Sequence, residues 1–369
     1  MQTQYKNKFT ALFWKNLAVF GYCAFGLIFI ALVLLDVFKV SDIALLGGNH
    51  IPYAIAALGI NLLLGYAGLV SLGTAGFMGL GSYLTIFFMV DLNWSFIMAL
   101  VAAVTFCVIV GLLTGFIACR VSGWYLAIAT LAIAEMLRNI FSKLKVITGG
   151  DEGRNGKLPY QYLFGNKDVP FEDKHMLVIM IAALTIIMIF TLRIFKSYYG
   201  RAMLTMNGSE PAAQTMGVNL TRYRLLAFAI ATAYSGIAGV FYATASNSAF
   251  VTPTKWILFL SLNLFAVVII GGLCSISGTL IGTFIMYTLV DMYLKTLWQG
   301  IENFIYIMSG VLIIVVSVFW PGGIIALFIK LKFAIIKWNY KRKAKKLLAK
   351  MQAAGIGMNP MGGGTTNEN

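Results

Sequence analysis

The feature that most constrains this chain is a series of long apolar runs separated by short polar segments. A helix needs about 20 mostly apolar residues to cross the hydrocarbon core of a bilayer. The sequence therefore predicts an all-α fold, a polytopic transmembrane helical bundle of about ten spans, with about 8–10 as the range. The predicted spans are residues 17–35, 51–66, 69–90, 96–118, 124–141, 176–194, 225–245, 257–272, 278–294 and 304–319.

The placement of charge predicts the orientation of these spans. The chain has 369 residues and a net charge of +15, and its Lys and Arg residues concentrate in residues 1–16, in the segment 193–224 and beyond residue 330. Such an excess in short segments marks the cytoplasmic side of a membrane protein. Both termini are therefore expected in the cytosol. Because the positive charge lies beside the apolar runs and in the C-terminal tail, nucleic acid is not predicted as a partner.

These patterns divide the chain into three parts. Residues 1–16 form a cytosolic N-terminus, and residues 17–327 form the membrane domain, with a cytosolic loop at 196–224 and an external loop at 142–174. Residues 328–369 form a tail. Its first half mixes aromatic and aliphatic residues with Lys and Arg, which predicts an interfacial helix on anionic membrane lipid. The Gly-, Asn- and Thr-rich end of the tail predicts disorder.

The sequence offers no pattern for catalysis, for a metal or for a cofactor. The four cysteines lie in or at the ends of apolar runs and form no C-x-x-C pair, and the two histidines have no ligand spacing. The run that ends in Gly156-Lys157 lacks the glycine spacing of a phosphate-binding loop. We therefore predict that the chain is not an enzyme and holds no catalytic, metal or cofactor-binding residues.

A short helix with clear end signals is predicted inside the cytosolic loop. A good N-cap residue is followed by an acid that suits the positive end of the helix dipole and by a proline in the first turn. A glycine then closes the helix in the left-handed conformation. A helix of this size can fit a groove on another protein, although a structured connector is the alternative. The residues concerned are Ser209, Glu210, Pro211, Ala212, Ala213 and Gly217.

Two glycine-rich stretches, at 65–81 and 268–282, are the second informative feature. Glycine faces allow close helix packing, and broken helix at membrane depth is tolerated where it lines a cavity. Both stretches read Gly-Leu-x-Ser followed shortly by Gly-Thr, which suggests a remote internal repeat whose interface holds a translocation path. Helix packing alone is the alternative. The predicted path residues are Ser71, Gly73, Thr74, Ser275 and Gly278.

Two ionisable residues fall within an apolar run. Glu135 and Arg138 are three positions apart on one predicted helix, where they can neutralise each other. Ionisable groups at membrane depth are costly and are usually paired or functional. We favour a structural intramembrane ion pair over a role in the substrate path.

Several of these motifs resemble the permeases of branched-chain amino acid ABC importers. The residues from Glu210 to Gly217 look like the Glu-Ala-Ala…Gly loop of ABC importer permeases. This chain departs from the branched-chain family's usual residues at Leu69-Val70, at Thr74 and at Cys274. The resemblance also includes Gly65-Tyr66-Ala67-Gly68 with Ser71-Leu72-Gly73, Ala134-Glu135 with Leu137-Arg138, the run from Val268 to Gly282, and Pro321-Gly322-Gly323.

The resemblance implies a permease subunit in a bacterial cytoplasmic membrane. In such importers the Glu210–Gly217 segment would dock on separate ATPase subunits, so that ATP binds a partner and not this chain. A second, related permease and an extracytoplasmic solute-binding protein would be further partners. A urea, amide or polar amino acid importer is the nearest alternative. A self-contained secondary transporter or channel would need polar groups near mid-membrane, which are scarce, and a membrane enzyme would need an acid–base pair.

Overall fold

Helices make up almost all of the chain that can be described. The computed structural model describes residues 21–27, 50–121, 123–155, 173–245, 250–287, 310–311, 314, 318 and 322–326. Residues 1–16, most of the first and tenth predicted spans, and the tail at 328–369 lie outside the described residues, so the predictions for them remain predictions.

The elements follow one another with short connections. In the described part of the chain, three helices run into a π-helical turn, at Leu62–Tyr66 after α1, at Phe87–Asp91 after α2 and at residues 284–287 after α11. The two short strands pair antiparallel. In chain order the elements are α1 (Ile51–Asn61), α2 (Thr74–Ile86), α3 (Phe96–Ala118), α4 (Trp124–Lys143), α5 (Lys145–Thr148), β1 (Arg154–Asn155), α6 (Asp173–Lys196), α7 (Tyr198–Gly208), α8 (Glu210–Thr215), α9 (Leu220–Thr244), β2 (Phe250–Val251), α10 (Leu258–Gly271) and α11 (Ile276–Thr283).

Six of the described helical segments are long and apolar enough to cross a bilayer. Two shorter apolar segments, Ile51–Tyr66 and Ile276–Tyr287, accompany them. These lengths confirm the predicted all-α, multi-pass membrane class, because a membrane-spanning helix satisfies all its backbone polar groups internally.

Burial separates the central helices from the peripheral ones. In the span that contains α2, 72% of the residues are buried inside the chain, and in an 18-residue stretch of α9 the share is 67%. In a stretch of the same length in α3 the share is only 28%, and Val101, Ile109 and Leu113 are exposed on its surface. A continuous apolar face of this kind is stable only against lipid or another subunit.

The crossing of α2 and α9 forms the centre of the bundle and depends on residues without side chains. A Cβ atom on Gly81 would overlap the carbonyl oxygen of Gly236, and one on Gly239 would overlap that of Met78. The hydroxyl of Ser82 donates to the carbonyl oxygens of Met78 and Gly239, at 2.9 and 2.8 Å. Backbone-to-backbone contact with a hydroxyl across it is how membrane helices pack closely.

The structure corrects one predicted span. Residues 67–73 are not helical, and α2 begins at Thr74, so the predicted start at residue 69 is wrong. The cause is local: Gly68 has a φ of +68°, which takes the chain out of the helical conformation. Ser71 and Gly73 therefore precede the helix.

Candidate functional site

The short helix α8 has the ends that the sequence predicts. At its start the Ser209 hydroxyl accepts the N–H of Ala212 at 3.4 Å. At its end Gly217 has a φ of +80°, and it donates to the carbonyl of Gln214 at 2.9 Å while Val218 donates to that of Ala213 at 3.0 Å. This pair of bonds is the Schellman motif. The segment therefore has a fixed shape.

An ion pair and one buried side chain hold α8 on the bundle. The Arg224 guanidinium on α9 pairs with the Glu210 carboxylate and also donates to the carbonyl of Cys119 at 3.5 Å. Burial raises the pKa of the Cys119 thiol, while the positive charge of Arg224 acts in the opposite direction. Ala213 is fully buried in a cluster with Met203 and other apolar residues. Glu210 thus attaches α8 to its own chain.

The other side of α8 is open. Pro211, Ala212, Gln214 and Thr215 are exposed, and Met216 is 76% exposed. Small or uncharged side chains on a rigid helix leave a surface that a partner groove can cover without moving long charged groups.

Two breaks in the helices lie at the ends of α1 and α10. The first is residues 67–73, and the second is residues 272–275, where Gly272 has a φ of +111° and Cys274 a φ of +61°. The Ser275 hydroxyl caps the start of α11 by accepting the N–H of Gly278 at 3.1 Å. Both breaks therefore contain the shared Gly-Leu-x-Ser pattern.

Neighbouring helices satisfy free N–H groups in the first break and at the start of α2. Leu72 donates to the hydroxyl of Thr130 on α4, and Ala75 donates to the hydroxyl of Ser261 on α10, both at 3.0 Å. Unpaired backbone groups are costly at membrane depth. Thr130 and Ser261 therefore stabilise the non-helical segment from two sides.

A buried asparagine connects α1 to the second break. Asn61 is fully buried. Its side-chain oxygen accepts the N–H of Cys274 at 2.9 Å, and its amide nitrogen donates to the carbonyl of Ser275 at 3.0 Å and to the hydroxyl of Thr279 at 2.6 Å. Asn61 was not predicted from the sequence as a functional residue. An amide inside an apolar run was the signal that could have found it.

The five predicted path residues form two groups, one at the first break and one at the start of α11. Ser71, Gly73 and Thr74 lie beside the start of α2, where the nearest neighbour of a Cβ on Gly73 would be the carbonyl of Thr130. Gly278 lies against Gly271 on α10. Ser71, Gly73, Thr74 and Gly278 are buried, and Ser275 is half-buried.

The predicted pair on α4 is present. Arg138 Nε donates to the Glu135 carboxylate at 2.8 Å, and the two side chains are 27% and 44% exposed in this chain. A second ion pair, which the sequence did not suggest, joins Arg154 to Asp91 after α2. Neither pair lies in the breaks.

The relatives of the chain are transport permeases. A family model described as the permease component of branched-chain amino acid transport systems matches residues 43–317. The high-affinity branched-chain amino acid transport system permease protein LivM of Salmonella typhimurium is 26% identical over 293 residues, which are 74% of this chain and 67% of the relative. LivM of Escherichia coli K12 is 27% identical over the same shares.

A more distant similarity reaches the archaea. The probable branched-chain amino acid transport permease protein LivH of Methanocaldococcus jannaschii is 27% identical over 210 residues, which are 54% of this chain and 63% of the relative. No solved structure matches the chain. Because the family model matches most of the chain, including both helix breaks and α8, the chain belongs to the family of permease components of branched-chain amino acid transport systems.

Proposed function

We propose that this chain is the membrane-spanning permease subunit of an ATP-binding-cassette importer that takes up branched-chain amino acids. The family supports this function, as do the names of the relatives from Salmonella and Escherichia coli. The single structural observation that carries it is α8, a capped helix attached to the bundle by one face and open on the other.

The open face of α8 is the surface on which a separate ATPase subunit docks. The docking residues are the segment Ser209–Gly217, in which Glu210 and Ala213 hold the helix on its own chain while Pro211, Ala212 and Met216 face the partner. ATP is hydrolysed on that partner. A helix of fixed shape is suited to this task, because a disordered loop would lose conformational entropy on docking.

The remaining parts of the proposal follow from the topology. About ten spans place both termini in the cytosol of a bacterium, with the membrane domain in the cytoplasmic membrane. The external loop at 142–174 receives a solute-binding protein, and the tail at 328–369 lies on anionic lipid. The apolar face of α3 contacts lipid or a second, related permease.

The amino acid passes along the two helix breaks. Ser71, Gly73 and Thr74 line one part of the path, and Ser275 and Gly278 line another. Gly73 lies beside α4 and Gly278 lies against α10, and in this proposal the substrate passes the two groups one after the other. This arrangement suits an importer that takes its selectivity from a binding protein, since a tight intermediate site would retain the substrate.

The test is a change to the open face of α8 that leaves the fold intact. Met216→Asp places a charge where the partner groove closes, and we expect about tenfold weaker co-purification with the ATPase subunit and a matching loss of leucine uptake. Thermal stability should stay unchanged because the side chain of Met216 is 76% exposed. Val146→Asp, at a residue that is 86% exposed beyond α4, is the matched control and should keep the ATPase bound. Normal co-purification of Met216→Asp would remove α8 as the docking surface.

A further inference from the structure

Three parts of the molecule meet at the carbonyl oxygen of Gly65. This oxygen lies in the π-helical turn after α1, and Leu69, four residues further on, donates its N–H to the carbonyl of Leu63 instead, at 2.9 Å. Two side chains from distant elements contact the Gly65 oxygen. The Asn207 amide donates to it at 2.8 Å, and the Cys274 thiol donates to it at 3.0 Å.

The first of these donors lies next to the docking segment. Asn207 lies near the end of α7, two positions before the Ser209 cap of α8. Its amide is also pressed against the first helix break, because a Cβ on Gly68 would overlap Asn207 Oδ1. The absence of a side chain on Gly68 is what lets the amide approach so closely. The side chain of Asn207 is therefore held between Gly65 and Gly68.

The second donor belongs to the other helix break. The backbone N–H of Cys274 donates to Asn61 Oδ1 at 2.9 Å, and Asn61 in turn donates to Ser275 and Thr279 at the start of α11. A continuous series of hydrogen bonds thus runs from Asn207, near the end of α7, through the carbonyl of Gly65 to the second break, and Asn207 also contacts Gly68 in the first break. Apolar contacts could slide past one another, but hydrogen bonds to one carbonyl fix a position.

We propose that Asn207 is the positioning residue that connects the docking helix to the translocation path. When the ATPase subunit displaces α8, the Asn207 amide carries that displacement to Gly65 and Gly68, and Cys274 and Asn61 carry it to the start of α11. This inference rests on the proposed function. Coupling between distant sites requires such a contiguous network, and mutation of its members is the direct test.

The experiment uses the complete importer in proteoliposomes, with leucine as the transported probe. Asn207→Asp keeps the shape of the side chain but replaces the amide donor with an oxygen that repels the Gly65 carbonyl. We expect the leucine imported per ATP hydrolysed to fall by about tenfold, the scale of one lost, partly buried hydrogen bond. Co-purification with the ATPase should be unchanged, because the open face of α8 is untouched.

Asn219→Asp is the matched control. Asn219 lies in the same segment, is exposed, and caps α9 by accepting the N–H of Arg222 at 3.2 Å. An aspartate accepts that bond equally well, so this variant adds the same charge without losing its hydrogen bond. We expect the wild-type ratio of leucine to ATP.

A second variant tests the same series of hydrogen bonds at its other donor. Cys274→Ala removes the other donor to the same carbonyl, and it should also lower the leucine imported per ATP. If the two contacts belong to one series, the double variant should have the ratio of the more affected single variant. A ratio equal to the product of the two single losses would mean separate effects and would overturn the connection.

The outcomes also separate this inference from the proposed function. A wild-type complex that imports no leucine with ATP contradicts both. A wild-type complex that couples, together with an Asn207→Asp complex that keeps the same ratio, overturns the role of Asn207 alone. A loss of uptake in which ATP hydrolysis and thermal stability fall in proportion also overturns it, because that pattern reports damage to the fold.

Discussion

At Gly65 the packing at the centre of this molecule leaves no space for a side chain. A Cβ atom there would lie 2.7 Å from Asn61 Oδ1 and 2.8 Å from the backbone nitrogen of Cys274. Both distances are too short for a carbon atom, and both neighbours are fixed by hydrogen bonds to each other. Glycine at this position is therefore a requirement of the contact between α1 and the second break.

Gly65→Ala should lower the stability of the folded chain. The added methyl group forces Asn61 and Cys274 apart, and overpacking of this kind costs about 2 kcal/mol. Thermal unfolding in detergent measures the effect. Gly208→Ala is the control, because a Cβ on Gly208 has no heavy atom within 4 Å. Equal unfolding temperatures for the two variants would show that the contact at Gly65 is loose.

At the scale of elements, apolar length predicted most helices well and their interruptions poorly. The helices α3, α4, α6 and α10 were expected from their apolar runs, since a run of sufficient length has no other stable form in a bilayer. The break at 67–73 was predicted too short, as a turn at residues 67–68, because the residues from 69 onward are as apolar as those in a helix. Its backbone is held by Thr130 and Ser261, which are far away in the sequence.

In the candidate site, too, the local interactions were predictable from the sequence and the contacts between distant segments were not. The cap and the C-terminal turn of α8 are local interactions, so they could be predicted from Ser209 and Gly217. The ion pair of Glu210 with Arg224 and the contacts of Asn61 join distant segments. The spacing of residues along the sequence does not predict such contacts. The two groups of predicted path residues were chosen by motif, but the helices beside which they lie could not be predicted from the sequence.

The Ser209 cap should control the order of α8. Ser209→Ala removes the acceptor for the N–H of Ala212, which costs about 1 kcal/mol of helix stability. Amide hydrogen exchange across residues 210–217 should become about fivefold faster. Ser209→Asp restores an acceptor and should exchange at the wild-type rate. Unchanged exchange in Ser209→Ala would mean that packing of Ala213 alone orders the helix.

At the scale of the whole molecule, the orientation in the membrane is open to direct measurement. Single cysteines at Asn166, which lies outside the described residues, and at Thr205 on α7 are placed in a chain whose native cysteines are replaced. A maleimide that cannot cross membranes should label position 166 in intact cells and position 205 only after the membrane is opened. The reason is that an odd number of predicted spans separates the two positions. Labelling of both from one side would contradict the predicted topology.

The exposed helix α3 has a consequence for the membrane around it. Its 23 residues give a length of roughly 35 Å at about 1.5 Å per residue, against about 30 Å for the hydrocarbon core. Trp94 precedes one end and stacks on Phe88 at 5.0 Å, and at the other end Arg120 lies 5.3 Å over the ring of Phe116. Aromatic and basic residues of this kind anchor helix ends at the two interfaces.

The surplus length of α3 is then accommodated by tilt, so a thinner bilayer would tilt α3 further. Because α3 packs on α9, a change in the thickness of the surrounding lipid would also change the position of α3 against the centre of the bundle.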